Sequence, residues 1–119
     1  MTIFEKIFNT LEPLNIPVVR SFYKGTAKSY IIVSVYNDSE GFVTDDDSEG
    51  EIYHFKMTYW REGNEIDLTR QIKKLMKEAQ FRRMYVMDTF DDDTFGTIFD
   101  YQGVLWNHEL EEEEIEEDV

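Results

Sequence analysis

Two histidines, His54 and His108, supply all the imidazole in this chain, and there is no cysteine. A zinc site needs such donors in close groups, and no His-x-x-x-His or equivalent spacing occurs. A nucleophile needs a base beside it, and neither histidine has an identifiable nucleophile partner in sequence. His54 is read as a strand-surface residue and His108 as the border of an acidic extension. The six glycines stand alone, each explicable as a turn or bulge residue, so no phosphate-cradling loop is expected.

Carboxylates are the remaining chemistry. Asp45, Asp47, Glu49 and Gly50, followed by Ile52, match the first half of an EF-hand calcium loop, and Asp91, Asp93, Gly96 and Ile98 do so more weakly. Both fail at the closing bidentate position, which is Lys56 in one and Gln102 in the other, and their flanks read as strands. Only adventitious cation contact is left to them. The other acids sit in solvated runs, where carboxylates keep ordinary pKa values and make poor general acids. The expectation is therefore a domain that is not an enzyme, carries no metal or cofactor, and works by binding other proteins.

The formal net charge is -14, and it is unevenly spread. Residues 38–51 hold seven acidic residues and residues 107–119 hold eight, with no basic residue in either segment. Together they account for 15 of the 26 acidic residues, which leaves 11 against 12 basic ones elsewhere. The acidity thus belongs to two appendages on a near-neutral body, and the whole surface disfavours phosphate binding. With 41% hydrophobic and 15% aromatic residues, 119 residues can build one core without metal or disulfide staples. No apolar stretch approaches bilayer length, and Glu5 and Lys6 interrupt the N-terminal apolar residues. No membrane partner is expected.

The elements that must position these residues follow from periodicity. Thr2 and Glu5 have capping-box spacing, and Ile3, Phe4, Ile7, Phe8 and Leu11 share a helical face, predicting a helix over 2–11 that Pro13 and Pro17 stop. Strands are predicted at 18–23, at 29–36 (the most apolar, hence central) and at 51–60, where Tyr53, Phe55, Met57 and Tyr59 alternate with His54, Lys56 and Thr58. Residues 37–50 read as an acidic loop. Asn64, with Asp67 three residues on, is read as opening a helix that reaches about Gln80. Strands at 84–89 and 97–106 around a turn at 91–96 complete the order α-β-β-β-α-β-β. That order predicts an α+β fold, two helices packed on one antiparallel or mixed sheet. Residues 1–106 form the single domain, and 107–119 read as a flexible acidic extension.

The second helix has two faces. Leu68, Ile72, Leu75, Met76 and Ala79 form its apolar stripe, and Arg70, Lys73, Lys74 and Lys77 form a basic stripe at the same period. Three readings are open for that basic stripe: a solvated face, a phosphate contact, or one half of a head-to-tail contact between copies of the chain. The last pairs it with the acidic loop of a neighbour, where Asp45, Asp46 and Asp47 lie, because a ring needs two different complementary patches on each subunit. Phe42 and Val43, isolated apolar residues in that polar loop, are read either as anchors that become buried on docking or as parts of a mobile loop.

The sequence of elements, a short helix, then Ile16-Pro17-Val18-Val19, the strand Tyr30-Ile31-Ile32-Val33, an acidic loop, a long strand over 53–60, an amphipathic helix over 66–80 and a closing hairpin over 84–106, resembles the tail terminator proteins of long-tailed bacteriophages. These are also called tail completion or tail-to-head joining proteins. The resemblance covers residues 1–106 and rests on pattern, length and order, without a diagnostic motif. It implies a hexameric ring that caps the head-proximal end of the tail tube, ends tube polymerisation and docks on the head connector or stopper protein. The implied partners are other copies of the chain, the tail tube protein and the connector. DNA would pass through without specific binding, past a lining whose negative charge repels phosphates. The implied location is the virion, after assembly in the host cytoplasm. Two other readings are another neck or minor tail component and an acidic inhibitor that mimics nucleic acid.

Overall fold

The computed structural model describes residues 1–41, 50–106 and 108–109, with side chains for all of these except 37–41. Helix α1 (Ile3–Leu11) opens on Thr2, whose hydroxyl oxygen accepts a 3.1 Å bond from the Glu5 amide. Ile3, Ile7 and Leu11 recur every four residues and are its buried positions. Pro13 carries the chain into a 3-10 turn, Glu12–Leu14, which Asn15 closes in the left-handed conformation at φ 62°. Asn tolerates that region better than most side chains.

Five strands follow in one mixed sheet: β1 (Val18–Arg20), β2 (Ser29–Gly41), β3 (Gly50–Glu62), β4 (Arg82–Asp91) and β5 (Thr94–Trp106), in spatial order β1-β2-β3-β5-β4. Helix α2 (Thr69–Glu78) crosses between β3 and β4 in sequence. Among the described strands only β1 runs parallel to its neighbour, pairing Val18 with Ile31. The α+β class and the order of helices and strands are those expected.

One side of the sheet carries the core. Ile31 and Val33 of β2, Phe55, Met57 and Tyr59 of β3, and Phe99, Tyr101 and Leu105 of β5 are buried with Ile7, Leu11, Ile72 and Met76 of the two helices. The register places Val33 opposite Met57 and Met57 opposite Phe99, so one parity of each strand faces the helices. Phe55 stacks with Tyr101 at 5.9 Å and meets Phe81 edge-on at 5.5 Å. The opposite parity forms an outer sheet face against which no described helix packs.

Several boundaries differ from the sequence reading. Strand β1 ends at Arg20 and not at Tyr23, because Ser21 adopts φ 74° and turns the chain while its amide bonds to the Val33 carbonyl. Strand β2 is interior, with β3 as the middle strand. Residues 37–41, expected in the acidic loop, continue β2 past a bulge between Val35 and Asn37, pairing Asn37 with His54 and Gly41 with Gly50. Ladder bonds are made by the backbone, so polar side chains do not prevent them once β5 lies alongside, as far as Trp106 opposite Gly50. Residues 42–49, including Phe42, Val43, Asp45, Asp46 and Asp47, lie outside the described residues.

Helix α2 begins at Thr69, later than the Asn64 opening expected. Residues around Asn64 instead form a turn in which the Glu65 amide bonds to the Glu62 carbonyl. The Tyr59 hydroxyl then holds the approach to the helix, donating to the Ile66 carbonyl and accepting from the Leu68 amide, both at 3.1 Å. Asp67 Oδ1 accepts from the Thr69 amide at 3.0 Å, satisfying an orphan donor of the first turn. The last hairpin is longer than expected, with β4 and β5 reaching a tight turn at Asp92, φ 53°, and Asp93. Among the described residues no helix is long and apolar enough to cross a membrane.

Candidate protein interaction surface

Helix α2 buries Ile72 and Met76, with Leu68, Leu75 and Ala79 packed partly against the core, as its apolar stripe predicts. The basic stripe faces away. Arg70, Lys74 and Lys77 are exposed and Lys73 is half-buried. Among the described residues only Lys74 of these four has an acidic partner, Glu78 at 4.0 Å, and both of those side chains are open to water. Such a pair contributes about 0.3–0.5 kcal/mol. Lys73 also acts on the Asp67 carboxylate through its charge, and Arg70 and Lys77 have no ion pair among the described residues.

The structure adds neighbours that the helical period alone does not show. Lys73, Lys74 and Lys77 share an open groove of about 480 Å³ with Phe81, Arg83 of β4 and Tyr101 of β5. Arg83 pairs in register with Tyr101, so its side of β4 faces α2. Four cations and no carboxylate line this groove. Tyr101 is almost fully buried, with its hydroxyl facing the Arg83 side chain. Burial pushes that phenol up to about 12, with the nearby positive charge of Arg83 pulling the other way. Arg83 and Tyr101 escaped the sequence reading because a strand contributes them. The only available signal was the pair Arg82-Arg83 following directly on the basic helix.

A second depression of about 500 Å³ lies between the start of α2 and the β4–β5 hairpin. Here Arg61 sits 5.0 Å from the centre of the Phe95 ring and 3.6 Å from Asp67. The Asp67 carboxyl is held below its usual range, chiefly by the Thr69 hydroxyl. Arg61, Asp67 and Thr69 are engaged with one another there, as are Asp88 and Thr97.

The outer sheet face carries a different chemistry. Tyr36 is 59% exposed, Tyr85 50% and Met87 49%, and the register sets Met87 beside Ile98 and Tyr85 beside Asp100. The Tyr36 hydroxyl donates to Asp100 Oδ1 at 2.6 Å, although Asp100 is only 9% exposed. That bond, with the carboxylate's charge, pushes Tyr36 up to about 12. His54 is half-buried with its ring 6.2 Å from that of Tyr36. Among the described residues no cluster of three His, Asp or Glu side chains could hold a metal ion. Asp91 and Asp93 occupy the tight hairpin and Gln102 a ladder position in β5, which is not the geometry of a twelve-residue calcium loop. Asp45, Asp47 and Glu49, the other half-match, fall outside the described residues.

Beyond the sheet, His108 and Glu109 are helical. Glu109 Oε1 meets Lys6 Nζ at 3.2 Å and accepts from the Trp106 amide at 3.1 Å. No family model matches the chain and no curated protein matches it. Among solved structures it is similar to a chain of one described as "Virion of native gene transfer agent (GTA) particle". The two share 10% identity and a TM-score of 0.46, over 87% of this chain and 91% of that one.

Proposed function

We propose that the chain is a structural virion protein that assembles head-to-tail into a ring, has no catalytic role there, and joins neighbouring virion parts through its surfaces. In the finer form of this reading the ring has six copies, caps the head-proximal end of a tail tube, ends its polymerisation and docks on the head connector. The observation that carries the reading is segregated charge. A groove lined by Lys73, Lys74, Lys77 and Arg83 holds no carboxylate, while residues 38–51 and 107–119 hold no basic side chain. A heterologous ring contact needs two unlike, complementary patches on one subunit. Opposite charges at such patches steer encounter and fix register.

The occupant of the basic groove in the ring is the acidic 38–51 segment of a second copy. Phe42 and Val43 within it would serve as apolar anchors on the tube or connector. Lys73→Glu combined with Lys77→Glu cancels the net positive charge of the groove without touching the core. Light scattering of the full chain is expected to show the oligomer reduced to monomer, and an unchanged oligomeric state would remove the proposed contact.

A further inference from the structure

We infer that the open edge of β4 pairs antiparallel with the open end of β2 in the next copy, joining neighbouring sheets into one. The inference rests on the head-to-tail reading above and names the backbone contact that holds it. Strand β4 has β5 on one side, and among the described residues no strand lies on the other. Strand β2 is open too beyond Val33. There β1 ends, with Arg20 opposite Val33, and the turning Ser21 amide takes the Val33 carbonyl. Among the described residues, 34–41 are thus paired with β3 alone. The two prolines, Pro13 and Pro17, lie outside both stretches, and the β4 residues are exposed except Val86 and Thr89. Such edges are templates for another strand. A head-to-tail contact needs two unlike patches on one subunit, and these two edges supply them.

Direction and charge select this pairing. The β2–β3, β3–β5 and β5–β4 contacts are all antiparallel, so β2 and β4 run opposite ways in the subunit. A neighbour rotated about an axis along the strands therefore presents its β4 antiparallel to β2. That orientation sets Arg82 and Arg83 beside residues 38–41, whose charged members are Asp38 and Glu40, and sets Asp88 and Asp91 toward Arg20 at the end of β1. The parallel orientation would bring Asp88 and Asp91 to Asp38 and Glu40, and like charges on facing strands are destabilising. Each edge has one bulge, between Arg83 and Tyr85 and between Val35 and Asn37. With the extra residue of each bulge left out, the longest overlap that clears β1 sets Arg82 opposite Gly41, Met87 opposite Asn37 and Thr89 opposite Ser34. Met84, Tyr85 and Met87, each about half exposed, lie along the edge so covered. Arg83 also lines the basic groove, so the end of the added strand arrives beside it.

The chain has no cysteine, so disulfide trapping reads the pairing directly. Met87→Cys is combined in turn with Ser34→Cys, Asn37→Cys and Ser39→Cys, positions that the register places on one sheet parity. Within one subunit the two edges are three strand spacings apart, about 14 Å, beyond the reach of a disulfide. The full-length parent and variants are sized by light scattering, then oxidised with copper phenanthroline and read on non-reducing gels. At least one double variant, Asn37→Cys with Met87→Cys first among them, is expected to give a ladder of covalent dimers, trimers and larger species. That ladder should stand at least about tenfold above the single variants, since opposed Cβ atoms are about 4.5–5.5 Å apart. Oligomers by scattering with no double variant above its singles would overturn the pairing and leave the ring reading standing. Covalent dimers from Met87→Cys alone would also overturn it, by setting β4 against β4 across a two-fold axis. A parent that is monomeric at every concentration would remove the ring reading, and the pairing with it.

Discussion

Gly103 sits where β5 passes under Phe81, and replacing it by alanine should be felt through that ring. An added Cβ would lie 2.6 Å from both Cδ1 and Cε1 of Phe81 and 3.4 Å from Cε1 of Phe55. Phe81 has little freedom to yield. It is 6% exposed, packs edge-on against Phe55, and Lys6 covers it at 5.7 Å. Overpacking of this kind costs about 1–3 kcal/mol. For a domain of this size each kcal/mol lowers the melting temperature by about 3–6 °C, so Gly103→Ala should melt about 3–18 °C below the parent. Scanning calorimetry or circular dichroism reads the shift. Phe81→Ala removes both of the atoms in the way, so the double variant should lose less than the sum of the singles by about 0.5 kcal/mol or more. A drop under about 2 °C, or strict additivity, would refute the packing described for this corner.

Tyr59→Phe deletes the hydroxyl that holds both Ile66 and Leu68 ahead of α2. Leaving those backbone groups without that partner should cost about 1–3 kcal/mol, read as a lower urea midpoint with unchanged slope. Asp100→Asn should bring the Tyr36 titration, followed by ultraviolet absorbance, down from about 12 toward the ordinary 10.0. Because folding raises the pKa of Tyr36, its bond to Asp100 stabilises the fold fully below pH 10 and ceases to do so as pH rises through about 12. The parent should therefore lose stability across that alkaline window more steeply than Asp100→Asn does. Asp67→Ala removes the acceptor of the Thr69 amide and should cost about 1 kcal/mol near neutral pH. That difference should shrink in acid, since the lowered Asp67 pKa stabilises the fold above the ordinary carboxylate range and is lost as pH falls through the folded value.

Much of the fold was legible because its signals are local. Thr2 caps α1 as its spacing with Glu5 implied, and Phe55, Met57 and Tyr59 point to the helices as their alternation implied. What stayed hidden depends on partners far away in sequence. The extension of β2 to Gly41 needs β3 opposite it and β5 beside β3, so the polar side chains of 37–41 read as loop although their backbone is paired. The late start of α2 depends on the Tyr59 hydroxyl reaching Leu68, a bond between elements that no window over 64–69 contains. The basic stripe was visible at its helical period, whereas its completion into a groove by Arg83 and Tyr101 needs the β4–β5 register. Phe42, Val43 and Asp45 to Asp47 remain as the sequence presents them, outside the described residues.

Growth of tail tubes in the presence of the full chain tests the central reading most directly. A tail tube protein would be polymerised with and without it and the ends imaged by electron microscopy. Tubes that stop growing and carry a single ring at one end are the predicted result. Tubes that reach the same lengths with bare ends, while the chain stays monomeric in solution, would contradict it.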